Sequence, residues 1–183
     1  MSLNLASLIL HCAPLVHPVT MQALVAVESA SQPFAISINY PERLERSGYS
    51  VPVLDRSPSS SREALMQIHE WTGQGYTVSV GLAQINAERL SWLRSQHIAD
   101  SIESLLDPCT NLRASQAILI DCWKWIAGVS QTGTERLRLH QTLSCYNSGH
   151  PTWGIRNGYA QRVTAAARRL TLTRAGWLTR PRV

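Results

Sequence analysis

Residues 23–39 read ALVAVESASQPFAISIN. The small-apolar run Ala23 to Val27 ends in Glu28-Ser29, with Glu28 four residues after Leu24 and three after Val25. On a helix those spacings set the carboxylate on the apolar stripe. Burying an ionised carboxylate is costly, so a carboxyl group placed there keeps its proton to higher pH than usual. A carboxylic acid that is protonated near neutral pH is what a general acid has to be. The same residues also fit an ordinary amphipathic helix with a solvated Glu at its frayed end. The remainder of the chain has to separate the two readings.

Pro18 suits a first helical turn, and Val19, Ala23, Leu24 and Val27 recur at helical spacing, which predicts a helix from Pro18 to Ser29. Residues 12–18, CAPLVHP, read as an extended lead-in. Gln32-Pro33 breaks the helix, and Ala35 to Asn39 fits a short strand. Residues 40–62 hold Pro41, Gly48, Pro52, Pro58 and a Ser-rich patch, and read as surface turns and short strands. A helix is expected from Arg62 to Thr72 and a strand from Tyr76 to Val80, with Asn86 capping a helix that carries Leu90 and Leu93. A short helix spans 101–106. Asp107-Pro108 then starts a long helix ending at Gly128, and another runs from Thr134 to Tyr146, stopped by Gly149. Residues 150–157 read as a loop, and a last helix carries Tyr159, Val163, Ala167 and Leu170. The expected organisation is one domain over residues 1–170 and a basic tail over 171–183. Its class is mainly α: a helical bundle with a small β-containing region.

A hydrophobic content of 44% and a charged content of 16% in 183 residues exclude a disordered chain. No run approaches the ~20 apolar residues of a membrane-spanning helix. The first eleven residues lack a positive segment and an A-x-A site, so they do not read as a complete signal peptide. Net charge is +5; Lys124 is the sole Lys, and no acid follows Glu135 while nine Arg do. That asymmetry fits a polyanionic partner, a membrane surface or solubility alone. Without a helix-turn-helix or aromatic-basic interleaving it does not indicate nucleic acid. No C-x-x-C or H-x-x-x-H pair is present, so no metal and no cofactor is expected.

Three separated segments carry polar chemistry at expected helix ends. They are Glu28-Ser29, then Gly81-Leu82-Ala83-Gln84-Ile85-Asn86, then Tyr146-Asn147-Ser148-Gly149 with Tyr159 beyond. In that order they resemble the soluble lytic transglycosylases, which have a goose-type-lysozyme-like fold. The resemblance runs from about Cys12 to Leu170. It points to the branch that accompanies type IV secretion and conjugation machines, through Cys12-Ala13-Pro14, Ser79-Val80-Gly81, Asp107-Pro108-Cys109-Thr110-Asn111-Leu112 and Leu143-Ser144-Cys145-Tyr146. Ala83 departs from the family's usual Met, and residues 40–75 match poorly.

The resemblance implies an α+β lysozyme-like fold whose β region lines a saccharide cleft. It also implies a periplasmic enzyme that cleaves the β-1,4 bond between N-acetylmuramic acid and N-acetylglucosamine in peptidoglycan. The partners implied are glycan strands and proteins of the secretion or conjugation machinery. Most glycosidases use two carboxylates, but substrate-assisted ones dispense with the second. No second acid sits in any of the three segments, so Glu28 is the expected sole acid and base. The muramic acid C6 hydroxyl then closes onto C1 to give a 1,6-anhydro product. Ser29 and Tyr146 are expected to orient Glu28 or the substrate's acetamido group, and Gln84 and Asn147 to pair with the sugar's polar groups. Asn86 either binds substrate or caps a helix; Tyr159 either lines the cleft or packs in the core. Trp153 is a candidate for stacking on a sugar, whereas Trp123 and Trp125 read as core. Two alternatives stand beside this reading. One is a hydrolytic muramidase, whose base for water would come from the irregular region, for example Asp55. The other is a non-catalytic peptidoglycan-binding module.

Cys109 and Cys122 share one expected helix, thirteen residues apart or about 20 Å, too far for a bridge. Placing Cys109 at the start of its helix and Cys145 at the end of the next, antiparallel one gives the expected pairs Cys12–Cys122 and Cys109–Cys145.

Overall fold

Helices provide most of the ordered backbone in the computed structural model, which describes residues 4–39, 57–129 and 133–178. In chain order the elements are α1 (Leu5–Cys12), α2 (Pro18–Ser29), β1 (Ile36–Asn39), α3 (Ser61–Gly73), β2 (Thr77–Val80), β3 (Ile85–Asn86), α4 (Leu90–Ser95), α5 (Pro108–Val129), α6 (Glu135–Ser148), α7 (Trp153–Arg156) and α8 (Tyr159–Leu178). Short 3₁₀ turns at Ala87–Arg89 and Glu103–Leu106 precede α4 and α5. The chain divides into two compact units, Met1–Val27 with Gln116–Val183, and Glu28–Ser115. The fold is mainly α with a small sheet, as the pattern of the sequence predicts.

The Glu28–Ser115 unit is built on a three-stranded antiparallel sheet in the order β1-β2-β3. Ile36 pairs with Val80 and Ile38 with Val78, so the β-branched side chains share one face. That face is buried, with Val78 and Val80 fully so, while Ser37 between the two isoleucines is exposed. Helix α3 lays Ala64 and Ile68 against β1 and β2. Its start is fixed by Ser60, whose Oγ accepts from Glu63 N–H at 3.2 Å, and the Glu63 carboxylate accepts in turn from Ser59 N–H at 2.8 Å.

In the other unit α6 is bounded by local chemistry. Thr134 caps its N-terminus, and Gly149 at φ +69° closes its C-terminus with an N–H bond to the Cys145 carbonyl. Helices α6, α7 and α8 pack on one another. Tyr159, Ala160, Val163 and Ala166 form the buried stripe of α8.

Several expectations are corrected. The disulfide joins Cys122 to Cys145, which overturns both Cys12–Cys122 and Cys109–Cys145. From Glu135 to Cys145, α6 rises only about 15 Å, which reaches the level of Cys122 but not of Cys109, some 30 Å back from the end of α5. Cys12 and Cys109 are disulfide-bonded as well. The 150–157 loop contains a helical turn, α7, because Gly154 packs against Ser144 instead of breaking the chain. Helix α8 continues past Leu170 to Leu178, since residues 171–178 contain no proline to stop it. The N-terminal segment is helical from Leu5, capped by the Asn4 side chain on Ser7 N–H. Trp125 is 44% exposed instead of core. Trp123 is half-buried beneath the Arg138 guanidinium, 5.6 Å from the ring centroid. The turns and strands expected between 40 and 56, and with them Asp55, lie outside the described residues.

Candidate active site

Helix α2 brings Glu28 to its last turn. Leu24 and Val25 beneath it are fully buried, and Glu28 itself is half-buried, as the helical spacing requires. The chain then turns sharply. Ala30 and Ser31 both take left-handed backbone, φ +50° and +67°, a conformation that costs L-residues about 1–2 kcal/mol each. Gln32 N–H closes this turn on the Ser29 carbonyl at 3.0 Å. Ser29 is buried, and its hydroxyl donates to the Leu82 carbonyl at 2.7 Å. The residue beside the acid is thereby tied to the Gly81–Asn86 segment.

That segment is braced on every side. Gly81 sits at φ +81° and donates its N–H to the Ala35 carbonyl at 2.8 Å. A Cβ here would stand 2.7 Å from Asn111 Cγ, so glycine is required both by dihedral and by space. Asn111 is fully buried. Its Nδ2 donates to the carbonyls of Val80 and Leu105, and its Oδ1 accepts from Ala83 N–H at 2.8 Å. Gln84 also has left-handed backbone, φ +49°. Its Nε2 donates to the carbonyls of Ala35 and Gly81 at 3.0 Å each, and its Oε1 accepts from Ser37 Oγ at 2.5 Å. Asn86 caps the following 3₁₀ turn, its Oδ1 accepting from Glu88 N–H at 2.8 Å.

Tyr146, Asn147 and Tyr159 belong to the other unit. Tyr146 is half-buried and Asn147 exposed on the last turn of α6. Tyr159 is only 2% exposed, with the Arg162 guanidinium 5.9 Å from its ring centroid. Asn157 links the two segments: Nδ2 donates to Asn147 Oδ1 at 3.0 Å, and its Oδ1 accepts from Tyr159 N–H at 2.9 Å. Glu28, Ser29, Gln84 and Asn86 thus gather in one unit through Ser29, and Asn147 and Tyr159 in the other through Asn157.

Asn111 and Asn157 are the residues that the sequence reading passed over as site components. Asn111 lies in the Asp107–Leu112 segment that carries the family resemblance, and Asn157-Gly158 is a turn signal. Among the described residues there is no cluster of three or more His, Cys, Asp or Glu able to hold a metal. No helix among them is long and apolar enough to cross a membrane.

Comparison with known proteins gives the family. The model of the transglycosylase SLT domain matches residues 10–167. The chain belongs to the transglycosylase SLT family. The match contains Glu28-Ser29, the braced Gly81–Asn86 turn and the Tyr146-Asn147 helix end. Among relatives, this SLT-family chain is 34% identical to the type IV secretion system protein virB1 of Brucella suis biovar 1, over 161 residues, 85% of this chain and 60% of that protein. It is 30% identical to the protein virB1 of Agrobacterium fabrum over 159 residues, 87% of this chain and 57% of that protein. The chain therefore spans less than two thirds of these curated relatives. No solved structure matches it.

Proposed function

We propose that this chain is a peptidoglycan lytic transglycosylase that opens the cell wall for a type IV secretion or conjugation apparatus. The observation that carries the reading is the end of α2: a half-buried Glu28 beside a Ser29 whose hydroxyl holds the Gly81–Asn86 turn. The SLT family match supports a transglycosylase reading, and the relatives' names support a type IV secretion setting. The Cys122–Cys145 disulfide and the oxidised Cys12 and Cys109 support a periplasmic setting.

In the proposed reaction Glu28, protonated, gives its proton to the glycosidic oxygen of the departing N-acetylglucosamine. The acetamido group of the muramic acid stabilises the cation developing at C1. Glu28, now a carboxylate, takes the proton of the C6 hydroxyl as that oxygen bonds to C1. The product is a 1,6-anhydro sugar and Glu28 is protonated again. An intramolecular nucleophile has a large proximity advantage over water. Ser29 and Gln84 act as positioning residues, through Leu82 and through the Ala35, Gly81 and Ser37 contacts. Asn86 combines its capping role with a place beside the substrate. Tyr146, Asn147 and Tyr159 enter through the motif that carries them: Tyr146 orients the reacting groups, Asn147 pairs with the sugar, and Tyr159 supports Asn147 from the core.

The test is digestion of purified peptidoglycan by this chain and by Glu28→Gln, with masses taken of the products. Anhydro-muropeptides that disappear with Glu28→Gln are expected. Reducing ends would instead indicate a hydrolytic muramidase, and no product from either protein a non-catalytic binding module.

A further inference from the structure

We propose that Trp153 and His150 form a flat carbohydrate-stacking platform, a subsite for a pyranose ring of the glycan strand. It rests on the lytic reading for the identity of the polymer, and on its own geometry for the ligand class.

Trp153 is 54% exposed. One side of its indole is covered by the His150 imidazole, with centroids 4.8 Å apart and planes 17° from parallel. The stack is built rigidly. His150 Nδ1 lies 3.2 Å from Thr152 N and 3.1 Å from Thr152 Oγ1. The His150 carbonyl accepts from Ser144 Oγ at 2.7 Å, and that oxygen accepts from Gly154 N–H at 2.8 Å. Gly154 is pressed onto α6 so closely that a Cβ would stand 2.6 Å from Ser144 Cα. The turn that carries Trp153 is therefore bolted to a buried serine, and little order is left to be imposed when a ligand binds.

The edge of the platform is polar. With Nδ1 accepting from Thr152 N–H, a neutral His150 carries its proton on Nε2, and that N–H has no partner among the described residues. Asn157 lies one turn beyond Trp153, its N–H on the Trp153 carbonyl at 2.9 Å, and its Nδ2 occupies Asn147 Oδ1. That bond leaves the Nδ2 donors of the exposed Asn147 for a ligand. An aromatic face carries negative charge density, which attracts the weakly positive C–H groups of a pyranose face. The hydroxyl and acetamido groups at the sugar's rim then meet the amide and imidazole donors. Hydrogen-bonding side chains around a flat ring match the hydroxyl and acetamido rim of a sugar. The other exposed side chains between 147 and 162 are Asn147, Arg156, Asn157, Gln161 and Arg162, all polar.

The test measures two quantities in parallel: binding of an N-acetylglucosamine hexamer to Glu28→Gln by calorimetry, and KM and kcat on soluble glycan strands. Each is repeated with Trp153→Ala, Trp153→Phe and His150→Ala. Trp153→Ala is expected to weaken hexamer binding and raise KM about tenfold while kcat moves less than about twofold, the pattern of a lost uniform binding contact. Trp153→Phe, which keeps a flat ring, recovers most of the affinity, and His150→Ala falls between. Unchanged hexamer affinity and KM in Trp153→Ala would overturn the platform and hand the indole to a protein contact; so would a Trp153→Phe no better than Trp153→Ala. Anhydro products formed without any dependence on Trp153 would leave the lytic reading standing. Trp153-dependent hexamer binding without cleavage by the unmutated chain would keep the platform and sink that reading.

Discussion

Replacing Asn111 tests whether the geometry of the Gly81–Asn86 turn is set from behind. The side chain is fully buried and makes three bonds, to Ala83 N–H and to the carbonyls of Val80 and Leu105. Asn111→Ala orphans a buried donor, at about 1–3 kcal/mol, and strips one bond from each of two carbonyls, at about 0.5–1.5 kcal/mol apiece. The total is about 4 kcal/mol, a large share of the roughly 5–15 kcal/mol that holds a domain together. At about 2–4 °C per kcal/mol for a chain of this size, Tm should fall by about 8–16 °C. Asn111→Asp is nearly isosteric and keeps the bond from Ala83 N–H, yet it turns an oxygen toward two carbonyls. It should be the worse variant at pH 7. Burial among carbonyls raises that carboxyl group above its ordinary value of about 3.9. A raised folded value means stability is fully present below the unfolded value and lost as pH rises through the folded one. The Tm gap between Asn111→Asp and the parent should therefore widen from pH 4 to pH 7. Thermal unfolding followed by circular dichroism at both pH values is the assay. An Asn111→Ala melt within about 3 °C of the parent, or an Asn111→Asp no less stable than Asn111→Ala at pH 7, would refute the reasoning.

Three further outcomes are expected. Breaking the Cys122–Cys145 bridge, which spans 23 residues, with a double Cys→Ser replacement should lower stability by about 3 kcal/mol, read from denaturant midpoints under non-reducing conditions. Burial first, then Arg136 and Arg168, hold the His140 imidazole below its ordinary range. The unfolded chain therefore takes up the proton more readily, and stability present above about pH 6.5 is lost as pH falls through the depressed folded value. His140→Gln should lose less Tm than the parent between pH 7 and pH 5. Gly154→Ala must push Cβ into the Ser144 backbone and should cost about 1–3 kcal/mol, seen as a lower melting transition than for Gly128→Ala, where a Cβ meets nothing.

What was legible in the sequence was local. Pro18 and the Ala23–Val27 run fixed α2 to the residue, and Thr134 and Gly149 bracketed α6 because capping chemistry is written within a few positions of a helix end. Alternation from Tyr76 to Val80 identified β2 for the same reason. The disulfide pairing was missed because it depends on how far each helix rises, a difference in length between α5 and α6 that no motif records. Residues 150–157 looked like a loop because Pro151 and Gly154 are breakers by propensity; the contact with Ser144 that makes Gly154 necessary is ten residues away. Of the site, Glu28 and Ser29 stood out through their place after an apolar run. The internal bonds of Gln84 did not, because an amide that braces a turn and an amide that meets a sugar are the same letter.

Gln84 also changes what a substitution screen on this chain would mean. Its place demands left-handed backbone, two donors for Ala35 and Gly81, and an acceptor for Ser37 Oγ. Hardly any other residue meets all three demands, whether or not a sugar ever reaches it. Scored by lysis alone, lesions at 84 and at 28 would fall in one class, and the class would be mistaken for chemistry. Scored for folding as well, they should part: on the proposed function Glu28→Gln silences a sound fold, whereas a lesion at 84 is expected to loosen the fold itself. Intolerance of change in this turn is information about architecture.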